Sequence, residues 1–400
     1  MNVLNKFLRY ISIPTNSNSS TGTSPSTLNQ WKLAKLLVQE LNELNLDEVF
    51  LDEEHCYVYA LLKGNPELPK IGFIAHMDTS ENASDQNVNP QIIKNYDGNN
   101  VKLNETEVLD VNKFPDLKNH IGKTLITTDG TTLLGADDKA GVAEIMEMLE
   151  ILQNTKIKHG DIYIAFTPDE EIGEGTKFFN FEKFKAEFAY TIDGEELGEL
   201  SYENFNACSI RVNIKGVSVH TGSAKNVMVN STMIANEIVN LIPKEFPENT
   251  EGYEGFYHLD NISGDVAHTT MKFLIRDFDL ENFEKRKQIF NDIVKTLNEK
   301  YNNCITTTML YSYPNMKNVI DKFPHIIEKA KTAMQNVGVT PIVTPIRGGT
   351  DGAELSHNGL PCPNLCAGGH NLHGVHEYVC LEDMEKITEI LLELVKQFAK

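Results

Sequence analysis

The sequence predicts an α/β protein in which a larger domain, built on a mainly parallel sheet with covering helices, is interrupted by a smaller α+β domain. The chain has 400 residues, more than one domain usually holds. Apolar strand patterns alternate with helical patterns in its first half, as in parallel sheets. From about residue 207 the predicted order becomes β-α-β-β-α-β, the ferredoxin-like arrangement. We therefore expect the larger domain over 1–206 and 314–400 and the inserted domain over 207–313, with two tandem domains as the alternative.

The elements of the first half follow the spacing of apolar residues. Apolar side chains recur at helical intervals over Trp31–Asn45, and a second helix is expected to begin near Asp137, after a polar stretch. Residues 71–78 form an almost continuous apolar run, which is typical of a strand covered on both faces. The predicted strands are 56–64, 71–78, 161–169 and 186–194.

The inserted domain and the C-terminal part are predicted from the same patterns. Residues 207–216 alternate apolar and polar side chains, as a half-buried strand does. The predicted strands of the inserted domain are 207–216, 255–264, 266–279 and 303–313, and its predicted helices are 226–242 and 281–301. After residue 314 the alternation of helix and strand resumes and closes with a helix over 381–400.

Composition and charge exclude several classes of protein. The 36 basic and 57 acidic residues give a net charge of −21, so phosphate backbones and anionic lipids should repel the chain, and we expect neither nucleic acid nor a membrane as partner. No run reaches the roughly 18 apolar residues of a membrane span, and the N-terminus lacks the apolar core of a signal peptide. Six scattered cysteines without a CxxC motif favour buried, reduced thiols over a disulfide or a zinc site. We therefore expect a cytoplasmic protein.

Histidines and carboxylates occur at five places where a predicted strand ends or a helix begins. These places are His76-Met77-Asp78, Asp137-Asp138, Asp169-Glu170-Glu171, Asp193 and the segment 370–377. Ligand sites of parallel sheets lie outside the carboxyl ends of the strands, so we expect these side chains to gather at one edge. Each cluster alone has an ordinary structural explanation, such as a helix cap. Together they point to a metal site.

The mixture of ligand types indicates which metals such a site would take. Imidazole and carboxylate ligands suit zinc, and also manganese or cobalt. Two histidines with three or four carboxylates exceed the needs of one tetrahedral ion, but they fit two ions about 3.5–4 Å apart that share a carboxylate and a water molecule. A remaining glutamate would then be free to act as general base. The G-x-S-x-G, P-loop and G-x-G-x-x-G motifs of other enzyme classes are absent from the sequence.

Several motifs resemble the M20 family of dinuclear zinc metallopeptidases. They are LGADDKAG, FTPDEEIG, YTID, the HxD that follows a strand, and PIRGGTDGA. The motifs GFIAHMDTS, ENTEGYEGFYHL, GLPCPNL and HGVHE are similar to those of the cytoplasmic aminotripeptidases within that family. The resemblance covers essentially the whole chain and implies a metal-dependent aminopeptidase that acts on tripeptides and forms a homodimer through the inserted lid domain. The alternative is another M20 amidohydrolase, such as a dipeptidase or an N-acyl amino-acid deacylase.

The resemblance also implies the ligands of two zinc ions per subunit. His76 and Asp193 would bind one ion, and Glu171 and a C-terminal histidine would bind the other. Asp137, the first residue of the Asp-Asp pair, would bridge the two ions.

The C-terminal ligand is ambiguous from spacing alone, since His370, His373 and His376 recur at every third position. Family members keep this ligand four residues before a glutamate. That rule selects His373 with Glu377, and His376 would then lie beside the site or at the surface.

Three further residues acquire catalytic roles from the resemblance. Asp78 would hydrogen-bond the far nitrogen of His76 and so set its tautomer. Glu170 would take a proton from the metal-bridging water and deliver it to the leaving amine. In dimeric relatives a lid histidine stabilises the oxyanion in the partner's site, and here His220 lies in the matching loop. A binding protein that had lost its metals would lack a ligand or the base, and none is missing from this sequence.

The chain departs from the family pattern at two places. The lid motif usually reads His-Pro-Gly, whereas this chain has His220-Thr221-Gly222, so the loop is expected to be less rigid. After the aspartate ligand the family often has further glycine, whereas this chain has Glu195-Glu196. These carboxylates add negative charge close to the site and bear on the recognition of the substrate's amino end.

Candidate substrate-binding residues come from both predicted domains. Arginines in an acidic cleft suit recognition of a peptide carboxylate by paired hydrogen bonds, which favours Arg276 and Arg347. Gly349 and Thr350, in the same segment as Arg347, would present backbone groups, and Asn230 is a weaker candidate. A structural ion pair is the alternative for each arginine.

Overall fold

The computed structural model describes residues 2–400, and the chain folds into two units. The first unit comprises the chain up to Tyr202 together with Asn318–Thr344 and Thr350–Lys400. The second unit comprises Glu203–Lys317 and the short segment Pro345–Gly349.

Four of the five predicted helices begin within one residue of the expected position, whereas the helix predicted over 226–242 begins only at Ser231. Caps explain several of their ends: the Asn230 side chain accepts hydrogen bonds from the first turn of one helix, and Asp279 does the same for another. Within residues 2–400 no helix combines the length and the apolar character needed to cross a membrane. The helices are α1 (Val3–Ile11), α2 (Gln30–Glu43), α3 (Ala136–Gln153), α4 (Ser231–Leu241), α5 (Leu280–Lys300), α6 (Lys317–Ile320), α7 (Pro324–Asn336), α8 (Asp351–His357) and α9 (Leu381–Phe398).

The strands are mostly short, and the longest lie in the second unit. They are β1 (Glu48–Leu51), β2 (Val58–Leu62), β3 (Ile71–His76), β4 (Gln91–Ile93), β5 (Val101–Lys102), β6 (Val108–Leu109), β7 (Leu125–Thr127), β8 (Ile162–Thr167), β9 (Phe188–Gly194), β10 (Glu199–Ser201), β11 (Asn206–Lys215), β12 (Phe256–Gly264), β13 (His268–Asp277), β14 (Ile305–Tyr313), β15 (Ile342–Val343), β16 (Asn364–Cys366), β17 (Gly369–His370) and β18 (Tyr378–Cys380).

The main sheet of the first unit has the strand order β1-β2-β8-β3-β9-β16-β10-β15. Its centre is parallel, because β3 pairs in parallel with β8 and β9, and β9 pairs in parallel with β16. Every residue of β3 and β8 is buried, as expected for strands covered on both faces. The prediction of an α/β fold with a mainly parallel sheet is confirmed.

A second sheet in the first unit, with the order β17-β18-β7-β4, was not predicted. Part of this sheet comes from the polar stretch before α3, for which no strand is predicted. These strands have two or three residues each, too few for a periodic pattern, and β7 pairs with β18 from the far end of the chain. Their burial comes from a small apolar cluster that includes Leu109, Leu125 and Tyr378.

The second unit contains an antiparallel sheet with the order β12-β13-β11-β14. Along the chain its elements run β11, α4, β12, β13, α5, β14. One core cluster joins buried residues of the sheet, such as Ile210 and Phe273, to Ile234 of α4 and Phe290 of α5. The two helices therefore cover the sheet through their apolar side chains.

Candidate metal centre

Three neighbouring strands and one helix bring polar side chains to one region of the first unit. His76 is the last residue of β3, and Asp193 lies near the end of β9. Glu170 and Glu171 follow β8 in a turn of 3₁₀-helix, and Asp137 lies in the first turn of α3. Because β8, β3 and β9 are adjacent and parallel, their carboxyl ends meet at the same edge of the sheet.

Asp137 lies between two histidines. Its Oδ1 atom is 2.7 Å from Nε2 of His76, and its Oδ2 atom is 3.0 Å from Nε2 of His373. The His76 Nε2 atom is also 3.4 Å from Oδ1 of Asp193, and the His373 Nε2 atom is 3.1 Å from Oε2 of Glu171. Each carboxylate oxygen of Asp137 thus faces a different imidazole, and each imidazole faces a second carboxylate.

The structure distinguishes the three C-terminal histidines that spacing leaves open. The ring of His370 is buried and stacks on Tyr378 with ring centroids 4.7 Å apart, and burial lowers the pKa of His370 to about 4. The Nε2 atom of His376 lies 3.1 Å from Oε2 of Glu107. His373 is the histidine whose ring reaches Asp137.

Glu377 holds the start of α3. Its buried carboxylate accepts hydrogen bonds from four consecutive backbone N–H groups, at 2.6 Å from Leu134, 3.0 Å from Gly135, 2.7 Å from Ala136 and 3.3 Å from Asp137. These donors belong to the loop and to the first residues of α3, where Asp137 and Asp138 depart from helical backbone geometry, so the carboxylate pairs amides that the helix itself does not engage. The spacing rule treats Glu377 only as a marker for His373, and sequence reasoning missed this role because the amides lie 240 or more positions away.

Asp78 fixes the turn that carries both glutamates. Its Oδ1 accepts the backbone N–H of Glu170 at 3.0 Å, and its Oδ2 accepts that of Glu171 at 3.2 Å. The expected partner of His76 Nδ1 was the Asp78 carboxylate, which lies at 3.4 Å, but the backbone oxygen of Asp78 is closer, at 3.0 Å. One residue therefore orients the histidine and both glutamates.

Asp169, immediately before the two glutamates, is a second anchor of this turn, and the sequence marks it only as one of three adjacent carboxylates. It adopts a left-handed backbone conformation with φ of 58°, which is uncommon outside glycine and asparagine. Its buried carboxylate accepts hydrogen bonds from the backbone N–H of Ser26, at 2.8 Å, and from the side-chain amide of Gln30, at 2.7 Å. The turn is thus tied to the segment before α2.

The ionisable groups of this site perturb one another strongly. Burial raises the pKa of Glu171 to about 9 and that of Asp193 to about 6. Burial also acts to raise the pKa of Asp137, but the hydrogen bonds with His373 and His76 outweigh it and lower that pKa. The hydrogen bond with Asp137 raises the pKa of His373 to about 9. So many carboxylates in one buried place are unfavourable unless positive charge lies among them.

The donor set fits metal ions. Two groups that share His76 have ligand atoms within 4.8 Å of one another: His76 with Asp137 and Glu171, and His76 with Asp138 and Asp193. The Oε1 atom of Glu171 is buried and has no hydrogen-bond partner among the described residues, as expected for an oxygen that faces a cation. In the second group Asp138 accepts the backbone N–H groups of His76, at 3.1 Å, and Gly141, at 3.3 Å, so it is already engaged by the backbone.

The candidate residues of the lid belong to the second unit. His220 is exposed, and its Nδ1 atom accepts the backbone N–H of Gly222 at 3.1 Å. Asn230 caps α4 by accepting the backbone N–H groups of Thr232, at 3.0 Å, and Met233, at 3.4 Å. These hydrogen bonds give the Asn230 side chain a structural function at the start of α4.

The two candidate arginines differ in how their donors are used. Arg347 donates to the backbone oxygens of Gly252, at 2.6 Å, Glu254, at 3.0 Å, and Thr250, at 3.3 Å. Arg276 donates one hydrogen bond, to the backbone oxygen of Arg347 at 3.2 Å, and its buried Nε has no partner among the described residues. Arg347 thus ties a loop of its own unit together, whereas the Nε donor of Arg276 is engaged by no described residue.

The remaining two candidates, Gly349 and Thr350, have clear local contacts. A Cβ atom on Gly349 would lie 2.7 Å from the ring of Tyr313, so a larger residue would force that ring to move. The Thr350 hydroxyl accepts the backbone N–H of Gly352 at 3.3 Å and caps α8.

Comparisons of sequence and fold relate the chain to one group of peptidases. Residues 128–397 match the family described as peptidase family M20/M25/M40. The chain is 52% identical over 408 residues to a protein named peptidase T from Alkaliphilus oremlandii, and the alignment covers 100% of both chains. Its fold is similar to that of aminopeptidase PepT from Bacillus cereus, with a TM-score of 0.80, 23% identity and coverage of 100% of this chain and 98% of that one. A tripeptidase from Staphylococcus aureus gives a TM-score of 0.81 at 24% identity, with the same coverage. The resemblance inferred from the motifs is confirmed.

Proposed function

The chain belongs to peptidase family M20/M25/M40, and from this premise we propose that it is a metal-dependent aminopeptidase that removes the N-terminal residue from tripeptides. The observation that carries the proposal is the position of Asp137 between His76 and His373, with Glu170 close by. The names of the similar proteins, peptidase T, aminopeptidase and tripeptidase, support the choice of reaction and substrate.

The metal ions are proposed to be two zinc ions per subunit, with manganese or cobalt as substitutes. His76 and Asp193 would hold one ion, Glu171 and His373 the other, and Asp137 would contact both, because its two oxygens face the two histidines. Bound zinc would act as a Lewis acid on the peptide carbonyl and make a water molecule more acidic.

Glu170 is proposed to move the proton. One of its carboxylate oxygens, Oε2, lies 4.0 Å from Nε2 of His76, and its backbone N–H is held by Asp78. Burial holds the pKa of Glu170 above its usual range. A carboxylate with a raised pKa can hold the proton after it leaves the water molecule and before it is passed to the amine. Glu170 would accept a proton from the attacking water and return it to the nitrogen of the departing amine.

The substrate's C-terminal carboxylate is proposed to pair with Arg276. Two observations support this pairing. The Nε atom of Arg276 is buried and has no hydrogen-bond partner among the described residues. The Cζ atom of its guanidinium lies 5.8 Å from the ring centroid of Phe256 and 6.0 Å from that of Tyr313, which holds the group in position to bind an anion. The hydrogen bonds of Arg347 to its own loop support a structural role for that residue instead. Gly349 and Thr350 stay candidates for presenting backbone groups to the peptide.

The enzyme is further proposed to work as a homodimer through the lid, in the cytoplasm. The exposed ring of His220 would then stabilise the oxyanion in the site of the partner subunit. All six cysteines are free thiols, which fits a reducing compartment.

A substrate panel tests the proposal directly. The purified protein, loaded with zinc, is given tripeptides, dipeptides, N-acetylated tripeptides and N-acyl amino acids, with and without a chelator, and the products are identified by mass spectrometry. We expect release of the N-terminal residue from free tripeptides and loss of that activity with the chelator. Faster hydrolysis of dipeptides or of N-acyl amino acids would overturn the tripeptide assignment.

A further inference from the structure

A cavity beside the metal centre carries a negative charge that the proposed reaction does not use. We propose that Glu195 binds the N-terminal ammonium group of the peptide in this cavity, and that it thereby disfavours substrates with an acidic N-terminal residue. The inference rests on the proposed aminopeptidase function and adds to it the group that recognises the amino end.

The cavity has a volume of about 640 Å³ and lies within the first unit. Its lining includes Phe114, Glu195, Leu372, His373 and His376. Since Nε2 of His373 is 3.0 Å from Oδ2 of Asp137, the cavity opens directly beside the candidate metal ligands. An aminopeptidase cleaves one residue from the amino end, so the first residue of its substrate must occupy a space adjacent to the metals.

Part of the cavity wall is formed by aromatic and aliphatic side chains. The His376 ring lies between Oε2 of Glu107, at 3.1 Å, and the ring of Phe114, with centroids 5.1 Å apart. Leu372 adds an aliphatic surface. These side chains would pack against an apolar first residue of a peptide.

The side chain of Glu195 differs from that of Glu107, the other carboxylate at this wall, because it has no partner within the described part of the chain. Its backbone is held on both sides, because its N–H donates to Oε2 of Glu199 at 2.7 Å and its oxygen accepts the N–H of Gly368 at 2.8 Å. Its side-chain carboxylate has neither a hydrogen bond nor an ion pair within the described part of the chain. The Glu107 carboxylate, by contrast, is paired with His376.

The chemistry of the substrate calls for such a group. A peptide with a free amino end carries an ammonium there at neutral pH, and ligand carboxylates that hold metal ions are not available to neutralise it. A fixed carboxylate supplies a charge-assisted hydrogen bond. An aspartate or glutamate as first residue would instead bring a second carboxylate near Glu195, which is repulsive.

Kinetics on a matched pair of variants tests the inference. Glu195→Gln removes the charge that faces the cavity, and Glu182→Gln removes the same charge from an exposed residue of the first unit that does not line it. The substrates are Leu-Gly-Gly and Asp-Gly-Gly. We expect Glu195→Gln to raise KM for Leu-Gly-Gly by roughly 10- to 100-fold, the effect of one hydrogen bond to a charge, with kcat changed little. The preference of Glu195→Gln for leucine over aspartate should shrink, and Glu182→Gln should match the wild type.

Binding without turnover separates the amine from the rest of the peptide. In the Glu170→Gln background, calorimetry compares Leu-Gly-Gly with 4-methylpentanoyl-Gly-Gly, which lacks only the amino group. The added Glu195→Gln change should weaken binding of the first ligand by roughly 10-fold or more and leave that of the second unchanged.

The two proposals fail in different ways. If the wild type releases no N-terminal residue from any tripeptide, the proposed function is wrong. If the wild type does so and Glu195→Gln equals Glu182→Gln, or weakens both calorimetric ligands equally, the assignment of Glu195 alone is wrong.

Discussion

The Nε2 atom of His373 lies 3.0 Å from Oδ2 of Asp137, although the two residues are 236 positions apart in the chain. The contact joins a C-terminal loop to the first turn of α3, where the other oxygen of Asp137 faces His76. Between them the two rings enclose the carboxylate that we propose as the bridging ligand.

Replacing His373 by alanine should remove about one of two zinc ions and most of the activity. His376→Ala should keep the metal content, because the ring of His376 faces Glu107 rather than Asp137. Metal analysis after dialysis measures both variants. Equal metal loss from the two would mean that the ligand was wrongly chosen.

Glu170→Gln should retain the metals and lose activity by roughly 10²- to 10⁴-fold, since an amide keeps the shape of the side chain but cannot accept the proton. Glu174→Gln is the matched control, because Glu174 lies in the same turn but pairs with Lys177 at 2.8 Å. We expect the control to retain the wild-type kcat. A Glu170→Gln enzyme with the wild-type rate would exclude Glu170 as the base.

Zinc affinity should rise with pH up to about 9. Metal ions bind the deprotonated ligands, and in the metal-free protein the hydrogen bond to Asp137 raises the pKa of His373 to about 9, while burial raises that of Glu171 to about 9. Binding therefore displaces protons below that pH. Competition titrations from pH 6 to 9 measure the slope, and an affinity independent of pH would contradict these ligands.

The stability of the metal-free protein should fall as the pH rises. A histidine with a raised folded-state pKa favours the folded chain below its unfolded value of about 6.5 and loses that contribution as the pH rises through about 9. The raised pKa of Glu171 acts with the same sign, because the folded state binds the extra proton. The melting temperature without metal should fall between pH 6.5 and 9, and the gain in melting temperature on adding zinc should grow.

The two arginines should respond differently to substitution. Arg276→Ala should raise KM for tripeptides with a free carboxylate by roughly 10- to 100-fold, with a smaller effect on tripeptide amides. Arg347→Ala should instead lower the free energy of unfolding by roughly 1–3 kcal/mol, since it breaks the hydrogen bonds to Gly252 and Glu254. Chemical denaturation and steady-state kinetics together separate the effects, and a stable Arg347→Ala protein with a raised KM would reverse the assignment.

His220→Ala should keep both metals and lose roughly 10²- to 10³-fold in kcat, the effect of one oxyanion donor. If His220 acts in the partner's site, mixing inactive His220→Ala with inactive Glu170→Gln should restore activity in heterodimers, where one site has both groups intact. Subunit exchange is verified with differently tagged chains. Exchange without recovery would show that the histidine does not act across a dimer.

Much of the fold and the position of the site could be read from local patterns. The apolar run at 71–78 and its partner at 161–169 become β3 and β8, and the polar residues that follow them lie where the strands end. A buried strand is marked by apolar side chains over a few consecutive residues, so this signal can be recognised from a short piece of sequence. The motifs at the strand ends were enough to indicate a metal centre and its family.

Other features depended on contacts between distant parts of the chain. Spacing alone left three histidines equivalent, and the choice falls to His373 because the loop after β17 turns its ring toward Asp137. The sequence could not show that Arg347 and Arg276 have different roles, because the roles depend on which backbone carbonyl groups lie within hydrogen-bonding distance of each guanidinium.

Residue chemistry and apolar spacing were enough to predict the ligand types, their order along the chain and the α/β class. Two features could be seen only in the tertiary structure. One is the small sheet of β4, β7, β17 and β18, and the other is the set of hydrogen bonds between Glu377 and the start of α3. Both are made of hydrogen bonds between segments far apart in sequence, whose geometry exists only once the chain has packed.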